Sequence, residues 1–147
     1  MFDSASERMT VVTDTREQTP FEFSEGVHVI RRTLATGDYS LQGMENSVAF
    51  ERKGIDDLVN TLIHGRRRFS EELVRMQSFI QRAVVVEASV ADILNHRYRS
   101  EAHPHAVLAA VNVIFLDYGI PIFFWGNRPH CRHMLENILE QIWKRRK

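Results

Sequence analysis

The hydrophobic period of this chain changes at one place. Up to Lys53 the apolar residues come in short runs or loose alternation bounded by Gly, Pro and Asp. From Asp56 they recur at three-, four- and seven-residue steps, as Leu58, Leu62, Phe69, Leu73, Met76 and Ile80. A period of two belongs to strands and one of 3.6 to helices, so this is an α/β chain whose strands begin before its helices. Four strands are expected ahead of the switch: Val11-Val12-Thr13, Val27 to Leu34, Tyr39-Ser40-Leu41 and Ser47 to Lys53. Asp56 or Asp57 is placed to cap the first helix, and Gly65 with Arg66-Arg67-Arg68 should break the helical stretch in two. Ala83 to Glu87 reads as a buried strand, Ser89 as the cap of a helix through Leu94, and Pro104 as the first turn of a helix over 104–118. Ile120 to Trp125 is a further strand, and Met134, Leu135, Ile138, Leu139, Ile142 and Trp143 mark a closing amphipathic helix. This order predicts an α/β sandwich of three layers, with a central mixed sheet flanked by helices.

At 147 residues the chain has the length of one domain, expected over 11–147 behind a flexible, polar stretch at 1–10. Charged residues make up 26% and hydrophobic ones 44%, which excludes the disordered and fibrous classes. No apolar run approaches the ~20 residues of a membrane span, and Met1-Phe2-Asp3-Ser4 lacks the basic start of a signal peptide. A soluble protein of the cytoplasm or nucleoid, or of the nucleus in a eukaryote, is expected, without a membrane partner. The single cysteine, Cys131, allows no internal disulfide and no Cys-rich zinc framework. Net charge is zero, yet residues 1–60 carry eleven acidic against six basic side chains and the remainder eight against thirteen. Such asymmetry suits a carboxylate-lined site beside a polyanion-binding surface, although solvated faces also produce it.

The acidic groups of the first half stand at strand ends: Asp14 and Glu17 after the first strand, Asp38 before the third, Glu51 late in the fourth. Strand side chains alternate, so Glu51 and Lys53 share a face while Arg52 points to the other. Asp38 and Glu51 supply the hard oxygen ligands that Mg²⁺ or Mn²⁺ prefers. Such a metal lowers the pKa of a bound water and neutralises charge on a scissile phosphate, while Lys53 can orient that water or stabilise the developing charge. On spacing alone this is weak evidence, because strand ends commonly carry exposed Glu and Lys.

The surrounding residues sharpen it. Gly37-Asp38-Tyr39, followed by Glu51-Arg52-Lys53-Gly54-Ile55-Asp56-Asp57, resembles the GD…ERKxxxD signature of the XPF-type structure-specific endonucleases, a branch of the restriction-endonuclease-like nucleases. Val12 to Glu17 looks like that family's first-strand D-x-R-E motif, and Gly65-Arg66 falls where the family has a Gly-Arg pair after its first helix. The close match covers about residues 11–75. The resemblance implies a restriction-endonuclease-like fold in which Asp38 and Glu51 ligate Mg²⁺ or Mn²⁺, Asp14 and Glu17 complete the acidic site directly or through water, and Lys53 is catalytic. Arg16 and Arg52 match family arginines; alternation leads us to expect Arg52 to brace the site or meet DNA near its edge. Asp57 matches the terminal Asp of the signature, with a plain helix cap as an equal reading. Arg66 would touch phosphate, with Arg67 and Arg68 beside it, and Ser70 stands where many relatives have Gln. The expected function is divalent-metal-dependent hydrolysis of DNA at branched, flap or fork structures, in repair or recombination. The alternative is a catalytically silent DNA-binding or scaffolding subunit of a nuclease complex, against which the intact Asp38, Glu51 and Lys53 speak.

Eukaryotic and archaeal relatives usually follow this domain with tandem helix-hairpin-helix modules, which this sequence lacks, so branch preference is expected either to be weaker or to come from a separate DNA-binding partner or from a dimer. Helix 104–118 is apolar around most of its circumference, and Pro121 suits the next strand to a sheet edge. Both features predict a homodimer through the C-terminal third, where XPF-type relatives also pair. His103, His105, His130 and His133 lack the paired cysteines of a zinc site and are expected in surface or cap roles.

Overall fold

The computed structural model describes residues 8–146. Six strands form one mixed sheet in the order β2-β1-β3-β4-β5-β6. They are β1 (Thr10–Thr13), β2 (His28–Arg31), β3 (Tyr39–Leu41), β4 (Val48–Gly54), β5 (Gln81–Glu87) and β6 (Ile122–Phe124). β1 runs parallel to β2 and antiparallel to β3, β3 is antiparallel to β4, and β4, β5 and β6 are mutually parallel. The helices are α1 (Ile55–Ile63), α2 (Arg66–Met76), α3 (Val90–Leu94), α4 (Pro104–Tyr118) and α5 (Arg128–Lys144).

Two cores lie on opposite faces of the sheet. Val84 and Val86 of β5 pack under α1 to α4 with Leu58, Leu62, Leu73, Val107 and Ile114. Ala83 and Val85, one residue out of phase, pack on the other face with Tyr39, Phe50 and the Leu135 and Leu139 face of α5. The continuous apolar run of β5 is thus explained by burial on both sides, and the result is the expected three-layer sandwich.

Local differences from the sequence reading have identifiable causes. β2 ends at Arg31 rather than Leu34 because Leu34 turns inward, its N–H donating to Asp14 Oδ1 at 2.8 Å instead of to a neighbouring strand. α1 begins at Ile55 behind Gly54, so Asp56 and Asp57 lie inside its first turn rather than at the cap, where carboxylates still suit the positive end of the helix dipole. The helical stretch does break in two, at His64 and Gly65, and Arg66-Arg67-Arg68 form the first turn of α2 rather than part of the break. Ile80 is off that helix and 77% exposed, while Phe79 is buried. α5 starts well ahead of Met134, capped by Asn127 Oδ1, which accepts from His130 N at 3.0 Å; its polar first turns hid it from the hydrophobic period. β6 is shorter than the apolar run 120–125 that contains it. Met9 already packs against the core and Thr10 opens β1, whereas the rest of the expected flexible terminus, residues 1–7, lies outside the described residues. No helix among the described residues is long and apolar enough to cross a membrane.

Candidate active site

A glycine sets the width of the site. Gly37 has φ +83, and a Cβ there would lie 3.2 Å from the backbone nitrogen of Phe50 and 3.3 Å from Ala49 Cβ. Only a residue without a side chain lets the chain enter β3 this close to β4. The next residue is pinned from both ends: Asp38 N–H donates to Phe50 O at 2.8 Å, and Asp38 Oδ2 accepts from Arg52 N–H at 2.8 Å. Asp38 is thereby held against β4, where Glu51 and Lys53 share one face.

Burial pushes both carboxylates up. Asp38 rises to about 6, because loss of solvent outweighs the Arg52 N–H and the charges of Glu17 and Glu72 add to it. Glu51, with its side chain 14% exposed, is driven toward about 9 by burial first and then by Asp38 and Glu72. Against this, Lys53 Nζ stands 3.8 Å from Glu51 Oε2 and 5.2 Å from the centre of the Phe69 ring. Two neighbouring carboxylates, short of compensating charge and opening on a cavity, fit a hard divalent cation. Among the described residues no three His, Cys, Asp or Glu side chains form a group that would hold a metal alone. Asp38 and Glu51 would therefore share the ion with water or phosphate oxygens, as Mg²⁺ readily accepts.

The other two expected acids are spent differently. Asp14 accepts from the Arg16 N–H (3.1 Å), Arg16 Nε (2.9 Å), Arg16 Nη2 (3.2 Å) and the Leu34 N–H (2.8 Å). Burial works to raise it, but these donors together hold it below the usual carboxylate range. It ties the end of β1 to Leu34 and borders the recess that also holds Asp38 and Glu51. Glu17 accepts from Arg52 Nε at 3.0 Å and Nη2 at 3.4 Å, so it lines the cavity already paired. Arg52 also reaches Glu87 and the Thr19 hydroxyl; it braces the site from the face opposite Glu51. Arg16 pairs with Asp14 and donates to Leu34 O at 2.7 Å.

A cavity of about 550 Å³ over these groups is lined by Asp38, Glu51, Lys53, Asp57 and Arg68, with Glu17 to Thr19 as one wall. Asp57 is thus exposed in the first turn of α1, facing the site rather than capping the helix. A second cavity of about 540 Å³ continues from Lys53 between α1 and α2, past Thr61, His64, Arg68 and Arg75. Of the three arginines expected at DNA, Arg68 lines both cavities; Arg67 stands off the site, 4.0 Å from Glu71, and Arg66 lines neither. Glu72 and Arg75 border the recess around Asp38 and Glu51 and escaped the sequence reading. Their signal is the 68, 72, 75 spacing, one helix face. His103 and Asn127 act as helix caps, His103 Nδ1 accepting from His105 N–H.

With this geometry in view, three comparisons agree. The ERCC4 domain matches over residues 13–138. A protein of Saccharolobus solfataricus called 3′-flap repair endonuclease Xpf is 26% identical over 118 residues, covering 80% of this chain and 47% of its own length. A protein of Methanocaldococcus jannaschii that carries the name of an ATP-dependent RNA helicase is 28% identical over 132 residues, covering 89% of this chain but 15% of its own. The chain therefore spans half or less of these relatives. XPF from Aeropyrum pernix superposes with a TM-score of 0.71 at 25% identity, covering 94% of this chain and 62% of that one. Its complex with DNA does so at 0.71 and 26%, covering 95% and 67%. A Gly-Asp turn pressed on a Glu-Arg-Lys strand, within this sheet order and this match, has one reading: the chain belongs to the ERCC4 domain family and is an XPF-type nuclease domain.

Proposed function

We propose that the chain hydrolyses phosphodiester bonds in branched DNA, a 3′ flap being the first substrate to try, with Mg²⁺ or Mn²⁺ held by Asp38 and Glu51. The observation that carries this reading is the neighbouring pair of half-buried carboxylates with Lys53 beside it. When bound, the metal supplies an activated water and offsets charge on the phosphate. Lys53, steadied over Phe69, directs its ammonium to the phosphate oxygens as charge builds on them. Arg68 and Arg75 receive flanking phosphates along the groove between α1 and α2, and the Glu17 to Thr19 wall limits access of bulk water. The flap is suggested by the name of the Saccharolobus relative, and DNA as ligand by the Aeropyrum complex.

We also propose a homodimer through the C-terminal third. Val113, Phe115 and Leu116 on α4 and Met134 on α5 are exposed, and edge strand β6 leads into a stacked Phe123–Trp125 pair with ring centres 5.3 Å apart. A two-fold interface is the commonest cover for such a surface; a single-chain mass in sedimentation at all concentrations would remove it. For the nuclease reading, labelled flap, fork, duplex and single-stranded substrates are incubated with Mg²⁺ or Mn²⁺. Cleavage that is lost with EDTA and in Glu51→Gln supports it, and metal-independent cleavage or none on any substrate overturns it.

A further inference from the structure

Four charged side chains of alternating sign run from the cavity wall to the start of α5. Glu17 pairs with Arg52 at 3.0 Å, Arg52 Nη1 with Glu87 Oε1 at 3.2 Å, and Arg128 Nη1 with the same Glu87 oxygen at 3.0 Å. Arg128 does more than close the chain. Its Nη2 donates to the carbonyls of Thr19 (2.7 Å) and Pro20 (3.0 Å), and its guanidinium stacks 4.5 Å from the centre of the Phe21 ring. Arg52 approaches the same ring at 5.9 Å and donates to Thr19 Oγ1 at 2.9 Å. The irregular segment 17–21 is therefore held between two arginines, one from β4 and one from α5.

What the segment does gives this clamp its meaning. Glu17, Gln18 and Thr19 form a wall of the cavity over Asp38 and Glu51, and the residue that grips them, Arg52, is also the one whose main-chain N–H fixes Asp38 Oδ2. Arg128 is 40% exposed in its side chain, so its ion pair alone adds little. Its worth lies in the planar fork, which meets a carboxylate and two carbonyls at once, a task a lysine cannot perform. We propose that Arg128 is a positioning residue for the nuclease site: through Glu87 and the Thr19 and Pro20 carbonyls it sets Arg52 and the 17–19 wall, and so the setting of Asp38. It links the C-terminal helix to residues that lie far from it in sequence. This rests on the metal reading above for its catalytic consequence and on the geometry alone for its effect on the loop.

The test compares Arg128→Gln, Arg128→Lys and Glu87→Gln with the parent chain, after melting curves establish folding. Hydrogen exchange over 17–21 should quicken in Arg128→Gln while β4 and β5 exchange as before. Mn²⁺ affinity, read from the paramagnetic resonance of free Mn²⁺, should fall by about tenfold, as losses around a metal site commonly do. The cleavage rate constant should fall with it while KM for DNA holds, and Arg128→Lys should recover part of both. Should Arg128→Gln not fold, Glu87→Gln serves. It spares the bonds to the carbonyls but cuts the link to Arg52, so Mn²⁺ affinity should drop while exchange at residue 19 stays slow. Parental exchange over 17–21 together with parental Mn²⁺ affinity in a folded variant overturns the inference, as does a lysine variant no better than glutamine. A parent chain that binds no Mn²⁺ overturns the metal reading instead, and the exchange measurement then decides the role of Arg128 by itself.

Discussion

Asp14 and Glu17, and Asp38 and Glu51, are two pairs of carboxylates around one site, lining the cavity and its adjoining recess, with opposite fates. Asp14 is 3% exposed and Glu17 7%, no less buried than Glu51, yet Asp14 is held below the carboxylate range while Asp38 and Glu51 are pushed above it. Burial works to raise all three; at Asp14 the hydrogen bonds from Arg16 and Leu34 overcome it, and at Asp38 and Glu51 the neighbouring carboxylates add to it. Each member of the first pair faces a guanidinium within 3.0 Å; the second pair faces itself, with one ammonium at 3.8 Å. A carboxylate whose charge is met inside the protein holds the fold together. One whose charge is left unmet is, on the function proposed above, where a cation from outside would sit.

The sharpest way to break this comparison is to neutralise one acid of each pair. Asp38→Asn or Glu51→Gln should lower cleavage by about two to three orders of magnitude, while the metal-free protein melts no lower than the parent, because a neutral amide replaces a carboxyl whose ionised form the site already disfavours. A variant of the second pair that melts several degrees lower, or cuts at the parental rate, would erase the distinction. Asp14→Asn should do the reverse. Its oxygen loses charge-assisted bonds to Arg16, costing about 1–3 kcal/mol in urea unfolding, and cleavage should suffer less than in Glu51→Gln.

Stability against pH sharpens the same contrast. Asp38 and Glu51 have folded-state values above their unfolded ones, so between the two the folded chain binds more protons. Their contribution is present on the acid side and is lost as pH rises through about 6 and on toward about 9. Asp14 is depressed, so its contribution is present above the usual carboxylate range and is lost as pH falls below it. Metal-free urea melts should therefore weaken from pH 6 to pH 9, and saturating Mg²⁺ should offset the loss, most strongly at the upper end; a flat profile in Glu51→Gln would assign the effect. The smallest expected change concerns the cations. Arg16 and Arg52 are engaged by Asp14 and Glu17, whereas Arg68 borders both cavities. Arg68→Ala should lower the slope of log affinity for DNA against log salt by about 1, and Arg67→Ala by less.

The sequence made Asp38, Glu51 and Lys53 legible because a multipart motif stood on elements whose period was plain. It brought Glu17 to the cavity and Asp14 to the adjoining recess but not to their partners, since those depend on how Leu34 turns in and how far Arg52 reaches across β4. Arg128 and Glu87 were invisible for a related reason: their contact joins β5 to α5 across 41 residues, and neither sits in a pattern of its own. Arg68, Glu72 and Arg75 are within reach, because one helix face carries them; the break between helices falls at His64 and Gly65, and Arg66-Arg67-Arg68 open α2. The start of α5 was lost because polarity, not periodicity, marks it.

The place of β4 in the sheet also bears on when the site comes into being. Both carboxylates and the lysine have been synthesised by residue 53, yet β4 is an interior strand whose parallel neighbour, β5, pairs with it from Val48↔Gln81 to Gly54↔Glu87. Parallel pairing needs a crossover connection, here α1 and α2, so β4 gains its second neighbour only from residues through Glu87. The bonds that hold Asp38 beside Glu51 lie within residues 38–52, whereas the brace from Arg52 to Glu87 draws on β5. The acids are therefore set in place by a local pair of strands, and the ion-pair support behind them is supplied by a part of the chain that emerges later.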